Sequence, residues 1–394
     1  RPSLAEAYRE RGFVQILLGE PQRAIADLSA AIRIAPRDSA AFTARGIAWS
    51  RLGMWDRAIA DHTRALELDP DDPDALADRG YAYTMKGEIP KAMADLKRAV
   101  ELVPDDPAAR FSLGFALFHA DRPEDALASY NEALKLDPEY PEVYRERAFV
   151  HAMLGDQEKA EADFAKAAEL EPKDASVPLR HGQALLRAGD TAKAIAQFSR
   201  ALELTPQHVE AHFHRAVANA LAADMAAALA DYRQALLLSP QSPDQVREWL
   251  ELVGNEAASE WVDKLETALE QSRDAAKKLF AEGVELHKEG KLDEAIEKYS
   301  ESLEAYPRYA EVYYNRGLAH RRQDEPAMAL RDYTQAVRLD PKFAAAYSNR
   351  GYTYYKMGDL NRAMADFQRV LEIDPENEDA KRSVDIIRKL IGTN

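Results

Sequence analysis

Apolar residues return along this chain at helical spacing, in paired short blocks. Between Ala310 and Phe343, Tyr313, Leu318 and Ala319 mark one apolar stripe, and after a polar break Ala329, Leu330, Tyr333 and Val337 mark a second. Asp324, Glu325 and Pro326 open the second block, where proline in a first turn forfeits no hydrogen bond, and Asp340 and Pro341 close it. The segment predicts two helices packed as a hairpin. The closing proline recurs as Pro36, Pro70, Pro104, Pro138, Pro172, Pro206 and Pro240, then as Pro307, Pro341 and Pro375, and every step but one is 34 residues.

A small residue holds one phase of the first helix: Gly12, Gly46, Gly80, Gly114, Ala148, Gly182, Ala216, Gly283, Gly317 and Gly351. Glycine inside a helix costs about 1 kcal/mol against alanine, so its recurrence implies a packing reason. The second helix answers with Ala24, Ala58, Ala92, Ala126, Ala160, Ala194, Ala228, Ala295, Ala329 and Ala363. This period and its small, small, aromatic, alanine, proline pattern resemble the tetratricopeptide repeat (TPR). The resemblance implies an all-α, right-handed superhelix of helix-turn-helix repeats, ten of them spanning most of the 394 residues. It also implies a non-catalytic scaffold that binds a peptide or helical segment of a partner in its concave groove.

Seven tandem repeats are expected over 1–240, a degenerate helical joint over 241–273, three repeats over 274–378, and a capping helix over 379–394. Pro178 replaces the usual aromatic early in the sixth repeat, so that helix is expected to start late or pack poorly. In the joint, Asp244 to Val253 reads as a short helix stopped by Gly254 and Asn255. From Glu256 the spacing of Trp261, Leu265, Ala268, Ser272, Ala275 and Leu279 predicts one helix to about Lys288, with a break near Ser272, Arg273 and Asp274 as the alternative. In the capping helix Ala380, Val384, Ile387 and Leu390 or Ile391 form the apolar stripe.

Comparing repeats with one another exposes a paired charge. Position seven of the first helix is Arg11, Arg45, Arg79, Arg147, Arg215, Arg316 and Arg350, and sixteen residues later stand Asp27, Asp61, Asp95, Asp163, Asp231, Asp332 and Asp366. The other three repeats lose or reverse both charges: Leu113 with Ser129, His181 with Gln197, and Glu282 with Lys298. An ion pair tying the two helices of one repeat is expected, with anion binding by these arginines as the alternative.

In the family the groove is lined by first-helix positions two, five, nine, twelve and thirteen. Carried onto this sequence, they give an aromatic cluster of Phe111, Phe115 and Phe118 flanked by Tyr81 and Phe149, with Arg145 at another fifth position and Tyr352 at a ninth. Some of these rings, Phe115 first, are also candidates for inter-repeat core. Asp74, Asp78, Glu142 and Glu146 border the cluster, so a ligand with apolar anchors and basic flanks fits best. The family's carboxylate clamp is not carried over: Phe280, Val284, Ala345 and Asn349 depart from it and only Asn315 matches. Asn315 and Asn349 remain as two rungs that suit a peptide's backbone amides.

A net charge of −16 argues against nucleic acid and anionic membrane surfaces as partners, and no apolar run is long enough to span a bilayer. Zero cysteines exclude disulfides, thiolate metal sites and thiol catalysis. There is no phosphate loop, HExxH or serine elbow, so no catalytic residue and no cofactor is assigned. His208, His212 and His214 have a helical metal spacing without a completing carboxylate, and 69–74 resembles a calcium loop only in charge. The partner is expected to be a protein or peptide and the chain a monomer. A self-assembling homo-oligomer joined at 241–273 is the alternative, disfavoured there by eight acids against three bases. The start without methionine reads as a processed or trimmed chain, such as the targeting arm of a larger enzyme. A cytoplasmic location is the default, with an exported or periplasmic one left open.

Overall fold

The structure, a computed structural model, describes residues 2–239 and 256–392. Helices joined by short turns account for its regular structure, and none of the described residues forms a strand. The chain divides into two compact units, Arg1–Ala184 and Leu185–Asn394. Each is an all-α solenoid. In the first, helix pairs run from Pro2–Leu17 with Pro21–Ile34 to Pro141–Met153 with Gln157–Leu170. In the second, pairs include Val209–Leu221 with Met225–Leu238 and Ala310–Arg322 with Pro326–Leu339, and Glu378–Ile391 follows the last pair.

The recurring glycines sit where the two helices of a repeat touch. A Cβ built on Gly114 would lie 2.6 Å from Cε1 of Tyr130, and one on Gly317 would lie 2.8 Å from Cε1 of Tyr333. Both tyrosines are fully buried, lying beside Ala126 and Ala329 on their own helices. One large side chain per repeat, a ring in most, is therefore clamped between small residues, and its burial supplies much of the repeat's apolar stabilisation. The turn between the helices demands a left-handed residue. Glycine supplies it in most repeats, but Asp121, Ala223 and Asp324 adopt φ of 57°, 63° and 62° at the same position.

All seven arginine–aspartate pairs form. In each, Nε donates to one carboxylate oxygen and Nη2 to the other at 2.6–2.9 Å. In every pair after the first repeat, Nη1 reaches the preceding repeat's second helix, donating to Ser29, Thr63, Asn131, Ser199, Ser300 or Thr334 at 2.7–3.3 Å. One guanidinium thus ties three helices, and its acceptor on the preceding repeat is one that pairing the charges alone does not reveal.

Three expectations need correction. The segment from Glu256 to Lys288 is not one helix. Glu256–Gln271 and Arg273–Lys288 are separate, because Ser272 turns tightly onto Leu269 and its hydroxyl caps the carbonyls of Ala268 and Leu269. Arg233 donates to the same hydroxyl at 2.8 Å and holds the break in place. Around Pro178, the helix does start one residue late, at Ser176, but it packs well: Val177, Pro178 and Leu179 are all buried. In the terminal helix Val384 and Ile387 are buried against Phe367 and Ala380 is buried too, while Leu390 and Ile391 face solvent. The short helix expected at Asp244 to Val253 lies outside the described residues.

His62 occupies the clamped-ring position of the second repeat, with Gly46 against it, fully buried and with neither ring nitrogen bonded. Burial, aided by Arg79, lowers its pKa to about 4. The unfolded chain therefore binds the proton more readily, and this histidine's share of stability is full above about pH 6.5 and lost as pH falls toward 4. The flanking repeats hold Leu28 and Leu96 at that place. His62→Leu should raise the unfolding free energy by about 2 kcal/mol at pH 7, and more at pH 5, in urea titrations. For the ion pair, a double-mutant cycle removing Arg147 and Asp163 should give a coupling energy of about 1–3 kcal/mol.

Candidate functional site

In the first unit the family's groove positions bring an aromatic row together. Tyr81 stacks on Phe115 with ring centroids 5.4 Å apart, Phe111 lies 6.3 Å from Phe115, and Trp55 meets Tyr81 edge-on at 6.2 Å. Phe111 also touches Tyr140 at 5.5 Å, and His119 packs edge-on against Phe115 at 4.6 Å. The central rings come from first helices of successive repeats, stacked because each repeat places its ninth position beside its neighbour's. Tyr81, Phe111, Phe115 and Phe118 are half-buried, presenting part of each ring. Burial, and secondarily Arg180, lowers the His119 pKa and so favours its neutral ring.

The two ends of this row carry opposite electrostatics. At the Tyr81 end, Asp78 lies one turn earlier on the same helix, half-buried, with no hydrogen-bond or ion-pair partner among the described residues. Burial, then Asp74, Asp72 and Asp106, push its carboxyl up to about 7. Asp74 is shifted upward by partial desolvation and by Asp72 and Asp106.

At the other end Glu146 is satisfied from two sides. Arg145 Nε donates to it at 3.1 Å and Arg180 Nη2 at 2.8 Å. Burial alone would raise the Glu146 pKa, but Arg180 and Arg145 outweigh it and hold the carboxylate below its usual range. Arg145 also donates to Ser176 at 2.6 Å and Asp174 at 3.3 Å, so this expected groove cation is engaged within the fold.

Phe149 is only 1% exposed. The guanidinium of Arg180 lies 3.6 Å over its ring, and Phe118 packs edge-on against it, so Phe149 offers no surface and belongs to the core. Arg180 sits at the sixth position, as Glu146, Asn315 and Asn349 do, and outside positions two, five, nine, twelve and thirteen. Its signal was an arginine one full repeat beyond Glu146.

In the second unit, Asn315 donates to its own helix at Glu311 O, 2.8 Å, and Asn349 to Ala345 O at 2.9 Å and to the Tyr314 hydroxyl at 3.1 Å. Among the described residues their side-chain oxygens accept no bond, while Asn315 uses one of its two amide donors and Asn349 both. Tyr352 is 44% exposed, with Arg321 and Lys356 near its ring. Of the histidines with metal-like spacing, His212 bonds Asp231 and Pro206 O, and His208 caps its helix at Ala211.

Comparison with curated protein sequences returned no match. Among solved structures, a tetratricopeptide repeat protein from Parabacteroides merdae shares 20% identity, covering 64% of this chain and 100% of its own with a TM-score of 0.50. A thermophilic TPR protein of Thermus thermophilus shares 26% identity over 46% of this chain and 98% of its own, at a TM-score of 0.43. The first TPR of Spaghetti, bound to an HSP90 peptide, shares 33% identity over 30% of this chain and 93% of its own, at 0.29. Tetratricopeptide repeat models match residues 15–73, 63–94, 141–174, 179–245, 310–343 and 344–377, and TPR repeat models match 80–120, 122–155 and 283–324. Those matches fall on the helix pairs described above, and the chain belongs to the tetratricopeptide repeat family.

Proposed function

We propose that this chain is a non-catalytic interaction scaffold whose first unit binds a peptide segment carrying an aromatic or large aliphatic anchor next to a lysine or arginine. The observation that supports this most is the Tyr81–Phe115 stack beside the unpaired Asp78 carboxylate. Half-buried rings in a groove gain when an apolar side chain displaces water from them. A carboxyl raised to about 7 gains when a cation arrives, because the cation favours the ionised form that burial disfavours. Scaffolds of this repeat commonly bind proteins or peptides, and groove recognition of an extended or helical segment is an established mode.

The test is calorimetric titration of a peptide panel pairing phenylalanine or leucine with arginine, against the same peptides with glutamate in place of arginine. The arginine peptides should bind preferentially. Tyr81→Ala with Phe115→Ala should weaken them by at least tenfold, with folding checked by circular dichroism. Equal affinity of wild type and that double variant, or preference for the glutamate series, would overturn the reading.

Protonation supplies a second check. With a folded pKa near 7, raising pH from 6 to 8 should tighten the arginine peptides by about tenfold, and Asp78→Asn should abolish that dependence. Without ligand the sign reverses for stability. The folded state holds the proton more firmly than the unfolded chain, so this carboxyl's share is full below about pH 4 and lost as pH rises through 7. Carbon-13 carboxyl titration should place the Asp78 midpoint near 7; an ordinary midpoint near 4 would remove the basis for the pH dependence.

A further inference from the structure

Repeat four lacks the arginine fork, and all three of its members are replaced together. Leu113 and Ser129 stand where seven repeats have arginine and aspartate, and Lys97 stands where the residue before a fork-bearing repeat offers a hydroxyl or amide acceptor. Ser129 instead donates to the Arg110 carbonyl at 2.9 Å. At repeat six, which also lacks the fork, His181 takes the place and stacks on Phe164 at 4.4 Å. At repeat four no ring does so, and an open recess of about 830 Å³ remains.

Its floor is apolar, made by Met93, Leu113, Leu117 and Leu134. Its rim is cationic: Lys97, Arg110, Arg122, Lys135 and Arg147 border it against only Asp125 and Glu132. Three of those cations are already paired, Arg122 with Asp125, Lys135 with Glu132, and Arg147 with Asp163. Lys97 and Arg110 have no carboxylate partner among the described residues; Arg110 donates only to the Pro104 carbonyl, at 3.2 Å. Two unpaired cations over an apolar floor stand out in a chain of net charge −16. Leu113 lies roughly 200° around its helix from Phe111, so the recess faces away from the aromatic row.

We propose that this recess is a second docking site, taking an acidic amphipathic peptide segment of a partner. A leucine-type side chain fills the floor beside Leu113, and carboxylates pair with Lys97 and Arg110. Charge complementarity selects this occupant: a basic segment would meet the rim's excess positive charge, and a wholly apolar one would leave both cations unpaired. The site is independent of the aromatic groove and opposite to it in charge preference.

The test uses the full chain and fluorescein-labelled dodecapeptides in which leucine and glutamate are permuted, read by anisotropy. Wild type should bind a subset saturably, and more weakly as salt rises. Restoring the fork with Lys97→Ser, Leu113→Arg and Ser129→Asp should fill the recess and cut affinity at least tenfold. Lys97→Ala with Arg110→Ala, both surface changes, should do the same without touching the floor, and decides the matter if the restored variant fails to fold. Tyr81→Ala with Phe115→Ala should leave this binding unchanged. No saturable binding to wild type, affinity within twofold of wild type in the recess variants, or loss in the groove variant would each overturn the assignment.

Discussion

Two helices in each repeat lie close because one large side chain, a ring in most, is held between residues with almost no side chain, and nearly everything else in the molecule follows from that contact. A methyl group on Gly114 or Gly317 would collide with the ring it covers. The helix pair can therefore adopt only a narrow range of separations, and the next pair stacks on it at a fixed spacing. The arginine fork then locks the stack. It uses two guanidinium nitrogens within its repeat and the third on the repeat before, so the same side chain sets both intra-repeat and inter-repeat geometry. The aromatic row exists because that spacing repeats: Tyr81 and Phe115 are one period apart and land face to face.

How much of this was legible depended on whether a feature repeats. The helix pairs, the glycine contacts and the fork's two charges each occur many times, so comparison within one chain separated signal from accident. The fork's third bond was not legible, since Ser29, Thr63 and Asn131 share hydrogen-bonding capacity but not identity. Features that occur once were read less well. Ser272 fits the apolar periodicity of a continuous helix, and only its hydroxyl, folded back on Ala268 and Leu269, shows why the helix stops. Pro178 looked disruptive but falls in a first turn, where its missing N–H is no loss. In the aromatic cluster both Phe115 and Phe149 hold a ninth position and Phe115 was the first candidate for core, yet it is Phe149 that is fully buried and Phe115 that is half-buried. Their difference comes from Arg180, which covers one ring and not the other.

The groove's polarity also depends on partners that spacing does not reveal. Asp78 and Glu146 occupy the same position of their repeats, and from sequence both read as acidic borders. Glu146 has two arginines and is held ionised; the charges that act on Asp78 are those of Asp74, Asp72 and Asp106, and with burial they hold it toward its neutral form. Identical positions in an ideal array thus become opposite in character through the residue one repeat further on: Arg180 follows Glu146, and Ser112 follows Asp78. On the proposed reading, a cationic ligand engages the acid that the fold leaves unsatisfied.

A repeat protein has to vary its surface without disturbing the contacts that stack it, and this chain does so by substituting whole interaction sets. Where the fork is absent in repeat four its acceptor on the preceding repeat is absent too, as Lys97 with Leu113 and Ser129 shows. Replacing the arginine alone would have left the fork's carboxylate buried without a partner, which costs about 3–5 kcal/mol; replacing all three leaves a neutral, apolar floor. The energetic consequence is that repeat four gives up one inter-repeat tie without acquiring an unpaired buried charge. What it gains is surface of a kind that the fork-bearing repeats fill with their own side chains, apolar beneath and cationic at the edge. Departures from the repeat pattern are therefore where this array can acquire specificity, because at every conforming position the side chains are already committed to holding neighbouring helices together.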